Sequence, residues 1–364
     1  MTTPTPTAPT PPFDIAALTR WLTPRLPGFA GPLTVEPLQG GQSNPTWLLR
    51  TECAAWVMRA KPAPTRDLLP SAHAIEREFA VLRALQGSAV PVPRAELLCE
   101  DESVIGVAFY VMAFVEGRIF RDASLPGLAA TERAAVYAEA NRVIAALHGV
   151  DWRAAGLAGF GRQEQYFERM IARWTRQYRA SETQPIEAME RLIDWLPRHI
   201  PAQEGASADV ALVHGDFRID NLVFAPDETQ APRVLAVLDW ELSTLGHPLS
   251  DLAYHCMAWH IEPGVLFGMA GCDLAALGLP TERDHIAQYC RRTGRDMDAV
   301  LAHWPFYLAC NFFRLAAILQ GIARRALDGT ANSPRALEAA RMAAPMAERG
   351  WQIAQSQPRH LATA

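Results

Sequence analysis

The sequence predicts an α+β protein with two lobes, a small β-rich N-terminal lobe and a larger, mostly helical C-terminal lobe. Up to about Phe114 the chain shows short β-prone runs and one strong helical pattern, and after Gly117 helical patterns dominate. A compact β-rich island interrupts the helical part between Ala211 and Leu238. With 364 residues, the chain is long enough for two domains or one large two-lobed unit.

The boundary between the lobes is predicted near Phe114–Arg118. Ahead of the N-lobe, residues 1–30 are expected to form a disordered Thr/Pro-rich tail and a leading helix. Thr2–Pro12 lacks the basic and apolar regions of a signal peptide. The remaining predicted ranges are an N-lobe over 31–116, a C-lobe over 117–352 and a polar tail over 353–364.

In the N-lobe, a β-hairpin and an amphipathic helix are predicted. Thr46–Arg50 and Ala55–Ala60 are β-prone runs with a short connection between them, which indicates a hairpin. Pro70 and Ser71 provide a break and an N-cap before a helix that runs to about Gln86. Residues at helical spacing form the apolar stripe of this helix: Ile75, Phe79, Leu82 and Leu85.

The same hydrophobic patterns predict the remaining strands and helices. A strand is predicted over Val104–Phe114, at the end of the N-lobe. The helical patterns of the C-lobe are Thr131–His148, Gln163–Ala180, Pro185–Trp195 and the chain from Leu249 onward. The β-prone runs of the island are Ala211–Val213, Leu222–Ala225 and Val234–Leu238.

The composition disfavours several functional classes. A net charge of −5 and a pI of about 6.1 provide no basic field for nucleic acid. No segment approaches the roughly 18 uninterrupted apolar residues of a membrane span. The six cysteines form no C-x-x-C pair and show no zinc spacing, which favours buried thiols in a reducing compartment. A cytoplasmic protein without nucleic-acid or membrane partners is therefore expected.

The strongest functional signal is the pattern H-x-D-x-x-x-x-N in the β island. It contains His214, Asp216 and Asn221, and the later apolar run Val234–Leu238 ends at Asp239. Phosphoryl transfer needs a carboxylate that accepts the proton of the attacking hydroxyl, and oxygen ligands that hold Mg²⁺ against phosphates. Asp216 is therefore predicted as the catalytic base, with Asn221 and Asp239 as metal ligands.

A purely structural interpretation of the same residues is the alternative. His214-Gly215-Asp216 could form an ordinary turn, and Asp239 could cap a helix. However, an ionised residue directly after an apolar strand is costly unless a metal or hydrogen bonds satisfy it. The ordered combination between β-prone runs favours the catalytic interpretation.

The segment H-G-D-F-R-I-D-N, followed by V-L-D-W-E, resembles the catalytic segment of the aminoglycoside phosphotransferase and choline kinase-like family, whose fold is protein-kinase-like. Three other segments resemble the kinase-like domains fused to acyl-CoA dehydrogenases in animals and their stand-alone bacterial relatives: Leu68–Glu78, Leu238–Ala253 and Asn311–Gly321. The resemblance covers roughly Leu33 to Glu348. It implies ATP and Mg²⁺ as cofactors and a hydroxyl group of a small molecule as the acceptor.

The resemblance also implies where the N-lobe binds nucleotide. Gln39–Asn44 would cover the ATP phosphates, and adenine would meet backbone groups near Tyr110–Phe114. The residues implied for nucleotide binding in these two segments are Gly40, Gly41, Ser43, Asn44, Met112 and Phe114.

A strand cation that grips the phosphates and pairs with a helix glutamate is implied as well. Alternation places Arg59 and Lys61 on one face of the strand, and Lys61 is the only lysine of the chain. The family position matches Arg59, a departure from the usual lysine, and Lys61 remains an alternative. Glu78 is predicted as the partner because it lies on the apolar stripe of its helix. Two residues are expected to support the catalytic loop, namely His214 and Asp251.

The acceptor is predicted to be anionic. Arg169, Arg173 and Arg176 form one stripe on a C-lobe helix, and Arg314 and Arg325 share a face of a later helix. The predicted substrate contacts are Arg169, Arg173 and Arg314. Solvated surface arginines are the alternative. The narrower resemblance implies a hydroxyacyl-CoA as the acceptor.

Three competing functions remain at this level. An aminoglycoside or other small-alcohol kinase fits the same motif, and a nucleotide-binding pseudokinase is favoured only by Arg59. A metallohydrolase would use further histidines such as His247, His255 and His260, but these lack an H-E-x-x-H relation. The sequence does not specify an oligomeric state.

Overall fold

A computed structural model of the chain describes residues 11–38, 44–62, 74–202, 209–226, 231–329 and 336–356. Several predicted features lie outside these ranges, including most of both tails and the helix cap at Ser71. The nucleotide-loop residues Gly40, Gly41 and Ser43 also lie outside the described residues, whereas Asn44 lies within them.

The chain divides into two compact units. Their ranges are Met1–Glu116 with Leu235–Glu241 for the smaller unit, and Gly117–Val234 with Leu242–Ala364 for the larger unit. The division at Glu116–Gly117 lies inside the range predicted for the lobe boundary. The sequence did not predict that Leu235–Glu241 belongs to the smaller unit. There, the N–H of Val237 donates to the carbonyl of Pro91 at 2.9 Å.

The smaller unit is built on a five-stranded antiparallel sheet with two helices. Its strands are β1 (Thr34–Pro37), β2 (Thr46–Arg50), β3 (Ala55–Ala60), β4 (Ala95–Cys99) and β5 (Phe109–Ala113), and its helices are α1 (Ile15–Leu22) and α2 (Ile75–Leu85). The spatial order of the strands is β1-β2-β3-β5-β4. The predicted hairpin is confirmed, because β2 and β3 have the predicted bounds and pair antiparallel.

The two faces of β3 have different roles, since successive side chains of a strand point to opposite faces. Trp56 and Met58 belong to an apolar core that also contains Leu18 and Leu22 of α1. Arg59 lies on the other face and is paired in register with Tyr110 of β5. The apolar face anchors the sheet, which leaves the opposite face to present charged groups.

Three details of the smaller unit differ from the prediction, and one of them is strand β1, a four-residue strand that was not predicted. The predicted strand Val104–Phe114 is wrong in its first half, because Gly106 has a φ of 89° and the chain turns there. Its N–H donates to the carbonyl of Glu102 at 2.7 Å, which closes the turn. Strand β4 was not predicted, since Ala-Glu-Leu-Leu-Cys contains no β-branched residue.

The larger unit is mostly helical. Its helices are α3 (Ala130–His148), α4 (Tyr166–Ser181), α5 (Glu187–Trp195), α6 (Pro248–Cys256), α7 (Leu274–Leu277), α8 (Glu282–Thr293), α9 (Met297–Ala302), α10 (Trp304–Leu327), α11 (Ala336–Arg341) and α12 (Ala343–Gln355). Its strands are β6 (Ala211–Val213), β7 (Leu222–Phe224) and β9 (Thr244–Gly246), while β8 (Val234–Val237) begins in this unit and ends in the smaller one. The predicted helices Thr131–His148, Gln163–Ala180 and Pro185–Trp195 are confirmed to within three residues at their ends. The helical region predicted from Leu249 onward is divided into the separate helices α6 to α12.

Strand β9 was not predicted from the sequence. It is three residues long and ends in Gly246, so its local pattern is weak. It forms because it pairs antiparallel with β6, with Leu212 opposite Leu245. The pair lies directly before the pattern that contains Asp216 and thereby fixes where that segment begins.

Helix α10 is the central helix of the larger unit. It packs against α4, α5, α6 and α12. Within the described ranges it is the helix whose length and composition would allow a membrane span, but 78% of its apolar window is buried inside the protein. That burial is typical of the core helix of a globular unit.

Candidate active site

The segment His214–Arg218 forms a tight loop between β6 and the 3₁₀ turn Ile219–Asn221. Gly215 has a φ of 84°, a conformation that L side chains rarely adopt. A Cβ at this position would also lie 2.6 Å from the carbonyl oxygen of Leu242. Glycine is therefore required here by both backbone conformation and space.

Hydrogen bonds fix the backbone of this loop, here called the catalytic loop after the role predicted for Asp216, from several sides. Asp251, on the first turn of α6, accepts from the N–H groups of His214 and Gly215, the latter at 2.7 Å. Nδ1 of His214 accepts from the N–H of Asp216 at 3.1 Å. The amide of Asn221 donates to the carbonyl of Asp216 at 2.8 Å. Asp251 therefore contacts the loop backbone, and the ring of His214 contacts it from within the loop. The supporting roles of these two residues stay a prediction.

The carboxylate of Asp251 is kept ionised by its partners. Burial alone would raise its pKa, but hydrogen bonds from His148 and from the loop N–H groups hold the pKa below its ordinary value. Burial lowers the pKa of His148, so this imidazole is neutral at pH 7. Its two nitrogens contact the hydroxyl of Tyr289 at 2.8 Å and Asp251 at 3.4 Å. His148 was not predicted from the sequence, because it lies 103 residues from Asp251 in the chain.

The carboxylate of Asp216 has three neighbours in the larger unit. Nδ2 of Asn221 lies 3.2 Å from its Oδ2, and Nε of Arg218 lies 3.4 Å from its Oδ1. The third neighbour is Tyr254, whose pKa is raised by burial and by the charge of Asp216. The Asp216 side chain is 17% exposed, so part of it is open to a ligand.

In the smaller unit, Asp239 follows β8 in an unusual conformation. Its φ of 65° lies in the left-handed region, which costs a non-glycine residue about 1 kcal/mol or more. Its side chain is 35% exposed and accepts a hydrogen bond from Nη1 of Arg59 at 3.1 Å. Strain of this kind is typical of residues held for a function.

Arg59 lies at the centre of what we call the acidic cluster, composed of Arg59, Glu78, Asp239 and Glu241. Its guanidinium is 3.2 Å from Glu78, 3.1 Å from Asp239 and 3.9 Å from Glu241, and its side chain is 8% exposed. One guanidinium thus faces three carboxylates. Arg59, rather than Lys61, is therefore the cation that pairs with the helix glutamate. Lys61 instead forms an ion pair with Glu76, in which each side chain is about one-third exposed.

Glu78 is oriented by neutral donors as well as by Arg59. The hydroxyl of Tyr110 donates to its Oε2 at 3.0 Å, and the amide of Asn44 donates to its Oε1 at 2.8 Å. Burial raises the pKa of Glu78, while the charge of Arg59 and the two hydrogen bonds oppose that rise. Tyr110 was not assigned a role by the sequence analysis, although its register opposite Arg59 follows from the sheet.

The predicted substrate arginines have different environments. Arg173 and Arg314, here called the arginine pair, both stack on the ring of Trp174, with guanidinium-to-centroid distances of 5.4 and 5.7 Å. Burial and the like charge of Arg314 lower the pKa of Arg173. In the part of the chain that the structure describes, neither of the two forms an ion pair with a carboxylate. Arg169 donates to the carbonyl of Arg162 at 2.7 Å.

Arg314 was predicted as a substrate contact, but its placement favours a supporting role. It is 5% exposed, and its Nη2 donates to the carbonyl of Gly215 at 2.5 Å. Its guanidinium also stacks on the ring of Tyr254, 5.1 Å from the centroid. Arg314 therefore contacts the catalytic loop directly, and its exposure leaves little surface for a ligand.

The adenine-site prediction falls on the end of β5. Met112 is buried and is paired with Val57 and Ala95 in the sheet. Phe114 is partly exposed, and its N–H donates to the carbonyl of Ala55 at 3.3 Å. The adenine contacts of these two residues stay a prediction.

Asn221 and Asp239 provide oxygen atoms of the kind that Mg²⁺ prefers. Because Nδ2 of Asn221 donates to Asp216, its amide oxygen is left to act as a ligand. The carboxylate of Asp239 has acceptor capacity beyond its bond to Arg59. Among the described residues, no group of three or more His, Cys, Asp or Glu side chains could hold a metal by itself. The metal-ligand roles of Asn221 and Asp239, which lie in different units, stay a prediction.

The histidines of the metallohydrolase alternative are used elsewhere in the larger unit. Nδ1 of His247 accepts from the N–H of Leu249 and caps α6. His255 hydrogen-bonds to the backbone of Phe217, and His260 pairs with Glu282 at 3.0 Å. These placements do not favour a histidine-ligated metal site.

A small antiparallel sheet unit and a larger helical unit with this catalytic loop define a kinase-like small-molecule phosphotransferase. Residues 34–286 match the model of the phosphotransferase enzyme family (APH), and the chain belongs to that family. The resemblance seen in the sequence and the predicted fold class are thereby confirmed.

Three similar proteins illustrate the relationship. The chain is 46% identical over 326 residues to acyl-CoA dehydrogenase family member 10 of Mus musculus, covering 89% of this chain and 29% of that protein. A solved structure from Ralstonia eutropha JMP134, a candidate aminoglycoside phosphotransferase, is 54% identical with a TM-score of 0.83 and covers 94% of this chain and 98% of that one. Choline kinase of Cryptosporidium parvum shares the fold, with a TM-score of 0.65, 12% identity and coverage of 93% and 95%.

The chain spans less than half the length of the curated relatives that it matches. It covers 29% of the mouse family member 10 and 43% of acyl-CoA dehydrogenase family member 11 of Rattus norvegicus.

Proposed function

We propose that the protein is an ATP- and Mg²⁺-dependent kinase that phosphorylates a hydroxyl group of an anionic small molecule. The observation that carries this proposal is the environment of Asp216. Its loop is fixed by Asp251, His214 and Asn221, and its carboxylate remains partly exposed. A carboxylate held in this way can orient an acceptor hydroxyl and receive its proton.

The reaction is a direct transfer. The acceptor oxygen attacks the γ-phosphorus of ATP, the bond to the β,γ-bridging oxygen breaks with release of ADP, and the acceptor proton passes to Asp216. Asn221 and Asp239 are proposed to hold Mg²⁺, which neutralises phosphate charge when bound. Arg59, oriented by Glu78, is proposed to contact the ATP phosphates.

The arginine pair supports an anionic acceptor. Two guanidinium groups stacked on one tryptophan repel each other, and the lowered pKa of Arg173 reflects that repulsion together with burial. An anionic ligand group would relieve this cost through charge-assisted hydrogen bonds. Because Arg314 is nearly buried, Arg173 is the more accessible member and is proposed as the contact with the acceptor, together with Arg169.

A hydroxyacyl-CoA is the proposed acceptor. It combines a hydroxyl group with several phosphates, and arginine side chains such as Arg173 bind phosphate groups well. The relatives are acyl-CoA dehydrogenase family members, although the chain covers only part of their length. Phosphorylation would convert the hydroxyl into a leaving group for a later elimination.

An aminoglycoside kinase is the second candidate, favoured by the 54% identity to the Ralstonia protein. A polycationic acceptor would be repelled by two neighbouring guanidinium groups, so the arginine pair disfavours it. A pseudokinase would have no need of the supported Asp216 carboxylate.

The test is ATP consumption by purified protein with Mg²⁺ and a panel of hydroxyacyl-CoAs, aminoglycosides and simple alcohols. Stimulation by hydroxyacyl-CoAs that is lost in Asp216→Ala is expected. Stimulation by aminoglycosides instead would replace the acceptor proposal. If Mg·ATP binds and nothing in the panel stimulates its consumption, the pseudokinase interpretation gains support.

A further inference from the structure

We propose that Arg314 is a positioning residue that fixes the peptide group between Gly215 and Asp216, and thereby the direction in which the Asp216 side chain leaves the catalytic loop. This inference rests on the proposed function, because Asp216 is assigned as the base there. Arg314 was predicted from its charge as a substrate contact, whereas the structure places its guanidinium on the backbone of the loop.

The peptide group between Gly215 and Asp216 is held at both of its polar atoms. Its carbonyl, which belongs to Gly215, accepts from Nη2 of Arg314 at 2.5 Å. Its N–H, which belongs to Asp216, donates to Nδ1 of His214 at 3.1 Å. A peptide group is planar, so bonds at its two opposite edges prevent it from rotating. Because this plane directly precedes the Cα atom of Asp216, it sets the direction of that side chain.

Gly215 is the residue of the loop at which this peptide group could turn. Glycine adopts a wide range of backbone conformations, and Gly215 has a φ of 84°. Its N–H donates to Asp251 at 2.7 Å, which holds the preceding peptide group. The bond from Arg314 holds the following one. A carboxylate and a guanidinium therefore restrain, from its two sides, a residue that has no side chain to restrain it.

The Arg314 side chain is itself firmly placed. It is 5% exposed, and its guanidinium stacks on the rings of Trp174 and Tyr254, at 5.7 and 5.1 Å from their centroids. Within the described ranges no carboxylate forms an ion pair with it, so none competes with the Gly215 carbonyl for its donors. A buried cation without a counter-charge is costly, so packing alone gives no reason for an arginine at this position. The bond to the loop supplies one.

Arg314→Met removes the charge and the donor while keeping an unbranched, flexible side chain. The expected result is a fall in kcat of about ten- to a hundredfold, the effect of losing a hydrogen bond from a charged group. The KM values for Mg·ATP and for the acceptor should change by less than about threefold, because neither ligand is assigned to this guanidinium. If Arg314 bound the acceptor instead, the KM for the acceptor would rise while kcat changed little, and the positioning role would be wrong.

Two further variants separate the loop contact from general effects on the fold. In Arg314→Lys an ammonium can still donate to the carbonyl but cannot stack as a planar group, so kcat should lie between those of wild type and Arg314→Met. The same variant carries the test if Arg314→Met does not fold. The matched control is Arg133→Met, since the Arg133 guanidinium also donates to backbone carbonyls of the larger unit, those of Leu125 and Leu277 at 3.0 and 3.1 Å. Its loss should leave kcat unchanged.

The peptide group can also be observed without turnover. Gly215–Asp216 is the only Gly-Asp pair in the sequence. Labelling glycine with ¹³C at its carbonyl and aspartate with ¹⁵N therefore gives one signal in an NMR experiment that correlates carbonyl carbon with amide nitrogen. In Arg314→Met the carbonyl resonance should shift, and the Asp216 N–H should exchange with solvent at least about tenfold faster, because the released peptide can turn away from His214. Both should be unchanged in Arg133→Met.

The two measurements distinguish the possible failures. A shifted carbonyl resonance with unchanged exchange of the Asp216 N–H would show that the peptide group is fixed without Arg314, which overturns the positioning role. An unchanged kcat of Arg314→Met in an active enzyme overturns it as well. If exchange becomes faster as expected but the wild-type protein phosphorylates no acceptor, Arg314 still fixes the peptide group and the proposed function fails.

Discussion

The acidic cluster of the smaller unit and the arginine pair of the larger unit carry opposite imbalances of charge. In the acidic cluster one guanidinium faces three carboxylates, an excess of negative charge. In the arginine pair two guanidinium groups share one tryptophan, and neither forms an ion pair with a carboxylate within the described ranges.

The difference indicates what each region lacks. An excess of one sign of charge in a partly buried cluster is costly, so it is expected where a ligand supplies charge of the opposite sign. A surplus of carboxylates suits Mg²⁺, and a surplus of guanidinium groups suits an anionic acceptor. The proposed kinase needs both, and each imbalance can be tested separately.

The largest expected effect is on the base itself. Asp216→Asn should lower kcat by about a hundred- to ten-thousandfold, because an amide cannot accept the proton. Binding of Mg·ATP, measured by calorimetry, should be nearly unchanged, since the acidic cluster is intact. Asp194→Asn, at an exposed ion pair with Arg198, serves as the control. Near-normal transfer by Asp216→Asn would show that the base is elsewhere.

Breaking the acidic cluster should destabilise the smaller unit. Arg59→Met leaves Glu78 buried without its counter-charge, which should lower the free energy of unfolding by about 3–5 kcal/mol. Arg59→Lys should recover part of this loss, because an ammonium restores the charge but not the bidentate geometry. The measurement is denaturant unfolding, with the exposed Arg50→Met as control. Equal stability of Arg59→Met and wild type would contradict the role of this cation.

Acidification should destabilise the larger unit through buried histidines. Burial lowers the pKa of His255 from 6.5 to about 4, with a neighbouring His285 ring at 4.9 Å. The unfolded chain binds the proton below pH 6.5 while the folded protein does not. The contribution of neutral His255 to the free energy of unfolding is therefore fully present above about pH 6.5. It is lost as the pH drops towards 4, by roughly 3 kcal/mol.

This dependence is measured by denaturant unfolding at several pH values between 7 and 4.5. His255→Asn keeps a donor for the backbone of Phe217 and removes the titrating ring. The variant should be less stable at pH 7 because of the lost volume, yet should lose less stability on acidification. Parallel curves for the variant and wild type would rule out His255 as the source.

The arginine pair can be tested through KM. Arg173→Ala should raise the KM for a hydroxyacyl-CoA by about tenfold, the cost of one charge-assisted hydrogen bond. The KM for ATP should not change. Arg179→Ala, on the same helix but paired with Glu190, is the matched control. If both variants behave alike, the acceptor does not use Arg173.

The smallest effect is expected at Lys61. Its ion pair with Glu76 is about one-third exposed on each side, so Lys61→Met should cost less than about 1 kcal/mol. ATP affinity should stay unchanged if Arg59 is the phosphate-binding cation. A large loss of ATP affinity would instead favour Lys61 and reduce the importance of the acidic cluster.

Local patterns allowed much of the fold to be predicted. The hairpin of β2 and β3 and the helices α3 to α5 have strong periodicity, and Glu78 was placed correctly on the inward face of α2. Strands β4 and β9 escaped prediction because they form through pairing with β5 and β6 rather than through their own residues. Val104–Ala108 was misassigned because the turn depends on the conformation of Gly106.

In the candidate site, too, some contacts follow from local sequence and others depend on tertiary packing. Asp216 and Asn221 lie within one motif, and the hydrogen bond between them was accessible to sequence reasoning. His148 reaches Asp251 from another helix, over a distance in sequence that no local pattern spans. Arg314 was found by its charge, but its contact with Gly215 depends on the packing of α10.

The most direct test of the account compares two acceptors that differ in charge. Mg·ATP-dependent phosphorylation of a hydroxyacyl-CoA is measured beside the same hydroxyacyl group on a neutral pantetheine thioester. The account predicts a phosphorylated product from both, with kcat/KM at least about tenfold higher for the CoA ester, a preference that is lost in Arg173→Ala. Equal use of the two thioesters, or phosphorylation of an aminoglycoside in preference to either, would contradict it.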